Sequence, residues 1–245
     1  LNSIPTPCYL VDEKALGKNL EIIKKLKQET NCQVILALKG FSTFATFPQL
    51  KLFLDGVTAS SIYEARLGLE EFNNEVHVHS IGMNKEECHQ FNTIGTKISF
   101  NSIAQFEQFK NHVTQINPSL GLRINPQLGT APTEKYDPCA PHSRLGIPIE
   151  LFSSDYFNQI EGLHFHALCE QNANSLIKIL EKIELKFGNN LHKLKWMNWG
   201  GGHLITSHEY DLELLIKTIN YWQKKYDLQV ILEPGDAIAR NTVYY

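Results

Sequence analysis

No apolar run in this sequence approaches the ~18 residues needed to span a bilayer, and no charged-then-apolar start resembles a secretory signal. Those absences point away from a membrane and from secretion. Paired cysteine motifs are missing too: Cys8, Cys32, Cys88, Cys139 and Cys169 form an odd, scattered set without a CxxC. Reduced thiols in a cytoplasmic protein are expected from such a set, not a disulfide framework. Neither sign of charge dominates, with 23 Lys and Arg against 26 Asp and Glu and no basic stripe or acidic tail. Nucleic acid and anionic membrane are therefore not indicated as partners, and a small molecule is the partner left. An initiating methionine is also lacking, since the chain opens at Leu1 and stops within the apolar Thr242-Val243-Tyr244-Tyr245. We read it as a piece of something longer.

What is present is a regular alternation. Eight short apolar or β-branched runs recur along the 245 residues: 33–39, 56–60, 76–81, 97–101, 120–125, 162–167, 195–199 and 229–233. Most are followed by a stretch of helical period, such as 102–109, 175–183 and 211–226, and another helix, 16–29, precedes the first run. Strand and helix alternating eight times predicts a (β/α)8 TIM-type barrel, with a doubly wound open sheet as the competing architecture.

A barrel carries its chemistry at the C-terminal ends of its strands, and the run ends here are polar: Lys39, Ser60 with Glu64, Ser80, Asn101, Arg123 with Asn125, His166 with Cys169 and Glu170, Gly200-Gly201-Gly202, and Glu233-Pro234-Gly235. One long connection, 126–148, is rich in proline and contains Asp137 and Arg144. Long irregular connections inside compact domains are usually functional, so it reads as a substrate-facing lid.

Lys39 ends an apolar run, where partial desolvation can supply the neutral amine of a Schiff base; a lysine snorkelling to solvent is the plainer reading. The triple glycine after the seventh run lets backbone N–H groups approach an anion, where barrels often bind phosphate, although a flexible turn has the same composition. Glu233 needs a protonated partner if it is buried. That partner is either a ligand's ring nitrogen or a strand-end arginine such as Arg123. His166 can stack on a flat ring, and with His164 it shares the strand face that two metal ligands would need, but no third ligand has convincing spacing. An amine, a stacking ring, a phosphate loop and a carboxylate for a pyridinium are together what a pyridoxal phosphate site requires.

With these residues in view, the chain resembles the alanine-racemase-fold, or group IV, pyridoxal-phosphate decarboxylases. The similarity runs from Thr6-Pro7-Cys8-Tyr9-Leu10-Val11-Asp12 to Glu233-Pro234-Gly235 and includes Ala37-Leu38-Lys39, Thr58-Ala59-Ser60-Ser61 with Glu64, and Leu122-Arg123-Ile124. Asp236 stands where ornithine and diaminopimelate decarboxylases continue with arginine. Together with Tyr136-Asp137-Pro138-Cys139-Ala140-Pro141, Ser143-Arg144-Leu145-Gly146 and Asn198-Trp199-Gly200-Gly201-Gly202-His203, it resembles the carboxynorspermidine branch.

The resemblance implies pyridoxal 5'-phosphate as cofactor and decarboxylation of carboxynorspermidine or carboxyspermidine in polyamine synthesis. It implies that Lys39, His166 and Glu233 are catalytic. Ser60, Glu64, Arg123, Cys169, Gly200, Gly201, Gly202, Gly235 and Asp236 would join them in holding the cofactor. Asp137, Arg144, Glu170 and His203 are candidate substrate contacts, and no metal is expected. It further implies a homodimer with the active site at its interface and a C-terminal β domain that this chain lacks, so that residues 1–241 are the barrel and 242–245 the beginning of that domain. An ornithine- or diaminopimelate-type decarboxylase is the alternative within the family. A non-catalytic barrel that manages cofactor supply is the alternative outside it, although such proteins place arginine where Glu233 stands.

Overall fold

The computed structural model describes residues 6–112, 117–131 and 133–245. All eight expected strands are present: β1 (Gln33–Ala37), β2 (Gly56–Ala59), β3 (Glu75–Val78), β4 (Lys97–Phe100), β5 (Ser119–Asn125), β6 (Gly162–His164), β7 (Trp196–Asn198) and β8 (Gln229–Leu232). Each pairs in parallel with the next, and β8 pairs with β1 through Ile231 with Gln33 and Leu232 with Val34, closing the barrel. That closing register excludes the open doubly wound sheet. Outside the barrel, Ile147–Pro148 adds to the end of β5, and Leu10–Val11 pairs antiparallel with Val243–Tyr244.

Local sequence explains the outer layer. Asp12 caps the helix Glu13–Thr30 by accepting from the amides of Lys14 and Ala15, and Asn31 ends it in the left-handed conformation at φ 54°. Leu16, Leu20, Ile23 and Leu26, spaced three or four apart, form the stripe that this helix buries. Ser61, Ser102 and Asp211 cap the helices Ile62–Leu67, Ile103–Phe109 and Leu212–Tyr226 in the same way, each placed directly after a strand end or loop.

The barrel interior has a small apolar plug of its own, Ile35, Trp196 and Ile231. Trp196 enters because β5 and β6 offer glycine opposite it: a Cβ on Gly162 would lie 2.0 Å from the indole and one on Gly121 2.4 Å. Beneath the plug, at the N-terminal ends of the strands, lies a cavity of about 540 Å³. Charged side chains rim it and are largely paired: Glu75 with Lys97 at 2.9 Å, Lys27 with Asp55 at 2.7 Å, and Lys195 with Glu161. Above the plug is the second cavity, where the expected site residues gather.

Candidate active site

The upper cavity, about 520 Å³, is bounded on the barrel side by Lys39, Ser60, His79, Arg123 and His166. On the other side are Lys135, Tyr136, Asp137, Pro138 and Leu145 of the long connection. The connection therefore faces the barrel mouth, as a lid should; Pro132 within it lies outside the described residues. A volume of this size suits a small organic ligand.

Lys39 stands two residues beyond β1 and is exposed. Its place is fixed by backbone: the Ala37 amide donates to the Pro234 carbonyl at 3.0 Å, and the Gly40 amide donates back to Ala37. Gly40 and Gly235 touch, since a Cβ on Gly40 would lie 3.0 Å from the Gly235 Cα. The two glycines let the ends of β1 and β8 close together, which puts Lys39 and Glu233 on adjoining strand ends.

Arg123 is 4% exposed and makes no ion pair among the described residues. Its Nη1 donates to His79 Nε2 at 2.8 Å and its Nη2 reaches the His166 carbonyl at 3.4 Å, while its Nε has no partner among the described residues. His79 Nδ1 lies 3.0 Å from the Ser99 carbonyl, so Nδ1 carries the hydrogen and Nε2 is free to accept from arginine. Burial and then the Arg123 cation lower the His79 pKa to about 3. Burial lowers Arg123 itself to about 10, opposed by the Glu233 charge. His166 is half-buried and accepts from the Gly201 amide at Nδ1, 3.0 Å, which makes it a neutral imidazole. Burial and the Lys39 cation hold its pKa well below the ordinary value. His164 is 2% exposed, packs edge-on against His79 at 5.0 Å, and has neither ring nitrogen bonded among the described residues.

Glu233 directly follows β8 and is 5% exposed. Its hydrogen-bond partner is not Arg123 but Asn198, whose Nδ2 donates to Oε1 at 2.7 Å. The nearest cation-forming group to Oε2 is His164 Nε2, 4.0 Å away. Of the three glycines after β7, Gly200 and Gly202 take φ of 70° and 83°, values that only glycine adopts easily. Added Cβ atoms at Gly200, Gly201 and Gly202 would strike the carbonyls of Phe165, Glu233 and Leu168 at 2.6, 2.4 and 2.1 Å. The loop is thus glycine first of all to lie against β6 and β8. Its amides are also partly spoken for: Gly200 donates to Asn198 Oδ1 at 2.8 Å and Gly201 to His166. Gly202 keeps the one loop amide without an internal bond among the described residues.

Other expected residues are spread around this centre. Ser60 lines the cavity, whereas Glu64 turns back to accept from the Ser60 amide at 2.6 Å and serves the loop. Asp137 lines the cavity and accepts from the Cys139 amide; Arg144 is exposed outside it, bonded through its carbonyl to Asn101. Cys169 is half-buried with its pKa raised by burial, and Glu170 is exposed. Asp236 is exposed and paired with Arg240 at 3.1 Å. His203, expected among the substrate contacts, is 2% exposed, shares a 3.1 Å bond with the Tyr210 hydroxyl through Nδ1, and has its pKa lowered to about 4 by burial. Sequence reasoning missed His79, Lys135 and the role of Asn198. The alternation of inward residues, Trp196, Asn198, Gly200, was the available signal for Asn198.

No protein-family model matches the chain. Among curated proteins it is 41% identical over 239 residues to the carboxynorspermidine/carboxyspermidine decarboxylase of Campylobacter jejuni, covering 98% of this chain and 62% of that protein. It is 39% identical over 243 residues to the carboxyaminopropylagmatine decarboxylase of Synechocystis, covering 99% and 63%. The chain thus spans less than two thirds of the relatives it matches. The crystal structure of carboxynorspermidine decarboxylase from Campylobacter jejuni complexed with norspermidine superposes with a TM-score of 0.90 at 38% identity, over 98% of this chain and 62% of that one. SrLDC, solved in complex with PLP and cadaverine, shares the fold alone, with a TM-score of 0.75 at 15% identity over 99% of this chain and 64% of that one. By sequence and by fold, then, the chain is similar to the carboxynorspermidine/carboxyspermidine decarboxylases over somewhat less than two thirds of their length, and it is built on the same eight-stranded parallel barrel.

Proposed function

We propose that the chain is the cofactor-binding barrel of a pyridoxal-phosphate-dependent decarboxylase that acts on carboxynorspermidine or carboxyspermidine, as a cytoplasmic homodimer with the site at its interface. The carrying observation is the buried Glu233 carboxylate, fixed at one oxygen by Asn198 and unbonded at the other, on the strand end adjoining Lys39. The residues present fit the cofactor. Lys39 and Arg123 are mouth cations without a carboxylate partner among the described residues, which suits an anionic ligand, and Glu233 Oε2 awaits a donor such as a ring N–H.

When bound, pyridoxal phosphate supplies an aldehyde for amines and a ring that accepts the electron pair left as carbon dioxide departs. Lys39 Nζ would hold it covalently. Ser60, Cys169 and the Gly202 amide would hold the phosphate, and Arg123 would stand near the ring. Glu233 would keep a proton at the ring nitrogen. His166 would pack on the ring, and because Gly201 donates to its Nδ1 it does so as a neutral group that adds no charge. Asp137, facing the cavity across from Lys39, suits a distal ammonium of a polyamine, with Glu170 and Asp236 further out. The long connection would exclude water.

Borohydride reduction with pyridoxal phosphate, followed by peptide mass spectrometry, is expected to mark Lys39. Carbon dioxide release should then be highest for carboxynorspermidine and carboxyspermidine among a panel that also holds carboxyaminopropylagmatine, diaminopimelate and ornithine. The Synechocystis relative favours carboxyaminopropylagmatine as a second reading, and a clear preference for it would replace the first. Labelling at Lys39 without turnover of any of these by the full-length protein would indicate a non-catalytic cofactor barrel. Labelling elsewhere would sink the cofactor assignment.

A further inference from the structure

Asn198 is 3% exposed and makes two bonds that together fix its amide. Oδ1 accepts from the Gly200 amide at 2.8 Å, a group that can only donate, so Nδ2 must be the end that faces Glu233 at 2.7 Å. Glu233 Oε1 is thereby required to be an acceptor. Oε2 is bonded to nothing among the described residues, and the nearest cation-forming side-chain nitrogen among them, His164 Nε2, is 4.0 Å away and out of hydrogen-bond range. The carboxylate is held on one side and presented on the other. We infer that Asn198 is a positioning residue that holds Glu233 Oε1 as an acceptor and turns its Oε2 toward the ring nitrogen of the cofactor, while coupling that orientation to the glycine loop through Gly200.

This inference rests on the cofactor reading above, but its core, the Asn198–Glu233 pairing, can be tested without cofactor. Asn198→Asp keeps an acceptor for the Gly200 amide and replaces only the donor that faces Glu233 with a second acceptor. Two carboxylates at that distance share a proton, which raises the proton affinity of the pair in the folded protein. A raised folded-state pKa gives stability that is present at low pH and is lost as pH rises. Cofactor-free N198D should therefore show a melting-temperature deficit against wild type that widens from pH 5 to pH 8. Adding Glu233→Gln restores a donor–acceptor pair of reversed polarity, so the double variant should lose that pH dependence and be more stable than the two single effects summed.

In the loaded full-length protein, N198D should retain labelling at Lys39 and leave KM within about twofold. Its kcat should fall by about 10- to 100-fold, and the absorbance of the bound cofactor should change its pH dependence. Additive effects of N198D and E233Q in the cofactor-free protein would overturn the pairing. An unchanged cofactor spectrum with unchanged kcat would overturn the positioning role. Failure of the wild type to take pyridoxal phosphate at Lys39 would instead remove the cofactor reading and leave the stability cycle standing on its own.

Discussion

The two ends of the barrel hold cavities of nearly equal volume, about 540 Å³ below and about 520 Å³ above, and both are rimmed by charge. Size does not tell them apart; pairing does. Below, Glu75 alone accepts from Gln33, His77 and Lys97, and each lysine of the rim has a carboxylate. Above, among the described residues, Lys39 and Arg123 have none, His164 is unbonded and Glu233 is half-bonded. A buried polar group left unsatisfied is expensive to keep, so the end that keeps several is the end prepared for a ligand.

The largest effect that would separate the ends is on chemistry. Lys39→Ala should abolish borohydride labelling and lower decarboxylation by about 10³-fold or more, since Lys135, the other lysine lining the cavity, lies on the long connection and not at the strand end beside Glu233. Glu75→Gln at the floor should leave turnover within about twofold. Comparable losses from both substitutions would break the division of labour.

Acid stability separates the ends next. His79 has a folded-state pKa of about 3, below its unfolded value near 6.5, because of burial and Arg123. The stabilisation is complete above pH 6.5 and is lost as pH falls toward 3, at about 1.4 kcal/mol per pH unit. His164 and His166 are lowered in the same direction, again by burial first. His79→Gln should flatten the fall in unfolding free energy between pH 6.5 and 5 by about 2 kcal/mol. A variant with the wild-type slope would show that His79 is not held neutral.

Much of this was readable in the chain. All eight strands were visible because an all-parallel barrel strand is apolar on both faces and bounded by polar ends, a pattern needing no tertiary information. Lys39, His166 and Glu233 were visible because each interrupts or ends such a run. The loop glycines were visible, but their reason was not: close approach to the carbonyls of Phe165, Glu233 and Leu168 depends on strands far away in sequence. Asn198 was hidden inside its strand, where a single polar residue gives no sign of which neighbour it bonds. His203 looked accessible after the glycines, yet packing against Tyr210 buries it.

The plug between the cavities can be tested by volume alone. Gly162→Ala would set a methyl 2.0 Å from the Trp196 indole, a rigid ring with no free end to move aside. Overpacking of this kind costs about 1–3 kcal/mol. Pairing Gly162→Ala with Trp196→Phe should recover part of the loss, whereas Trp196→Phe alone should be destabilising.

The smallest effect expected is at the floor itself. Glu75 is held down to about 2 by its bond with His77 and then by Lys97, against a burial that works the other way. Its folded-state pKa is below the unfolded value of 4.5, so its contribution is full above pH 4.5 and is lost between there and pH 2. The side chain is 37% exposed, and solvent screening reduces what that shift is worth to about 1 kcal/mol. Glu75→Gln should therefore lower stability by about that much at pH 7 and flatten the acid limb only below pH 4.5, a region distinct from the His79 window. Denaturant unfolding of both variants across pH 3 to 7 would resolve the two windows, and a Glu75→Gln effect that extends above pH 5 would mean that the floor and mouth titrate together through the barrel interior.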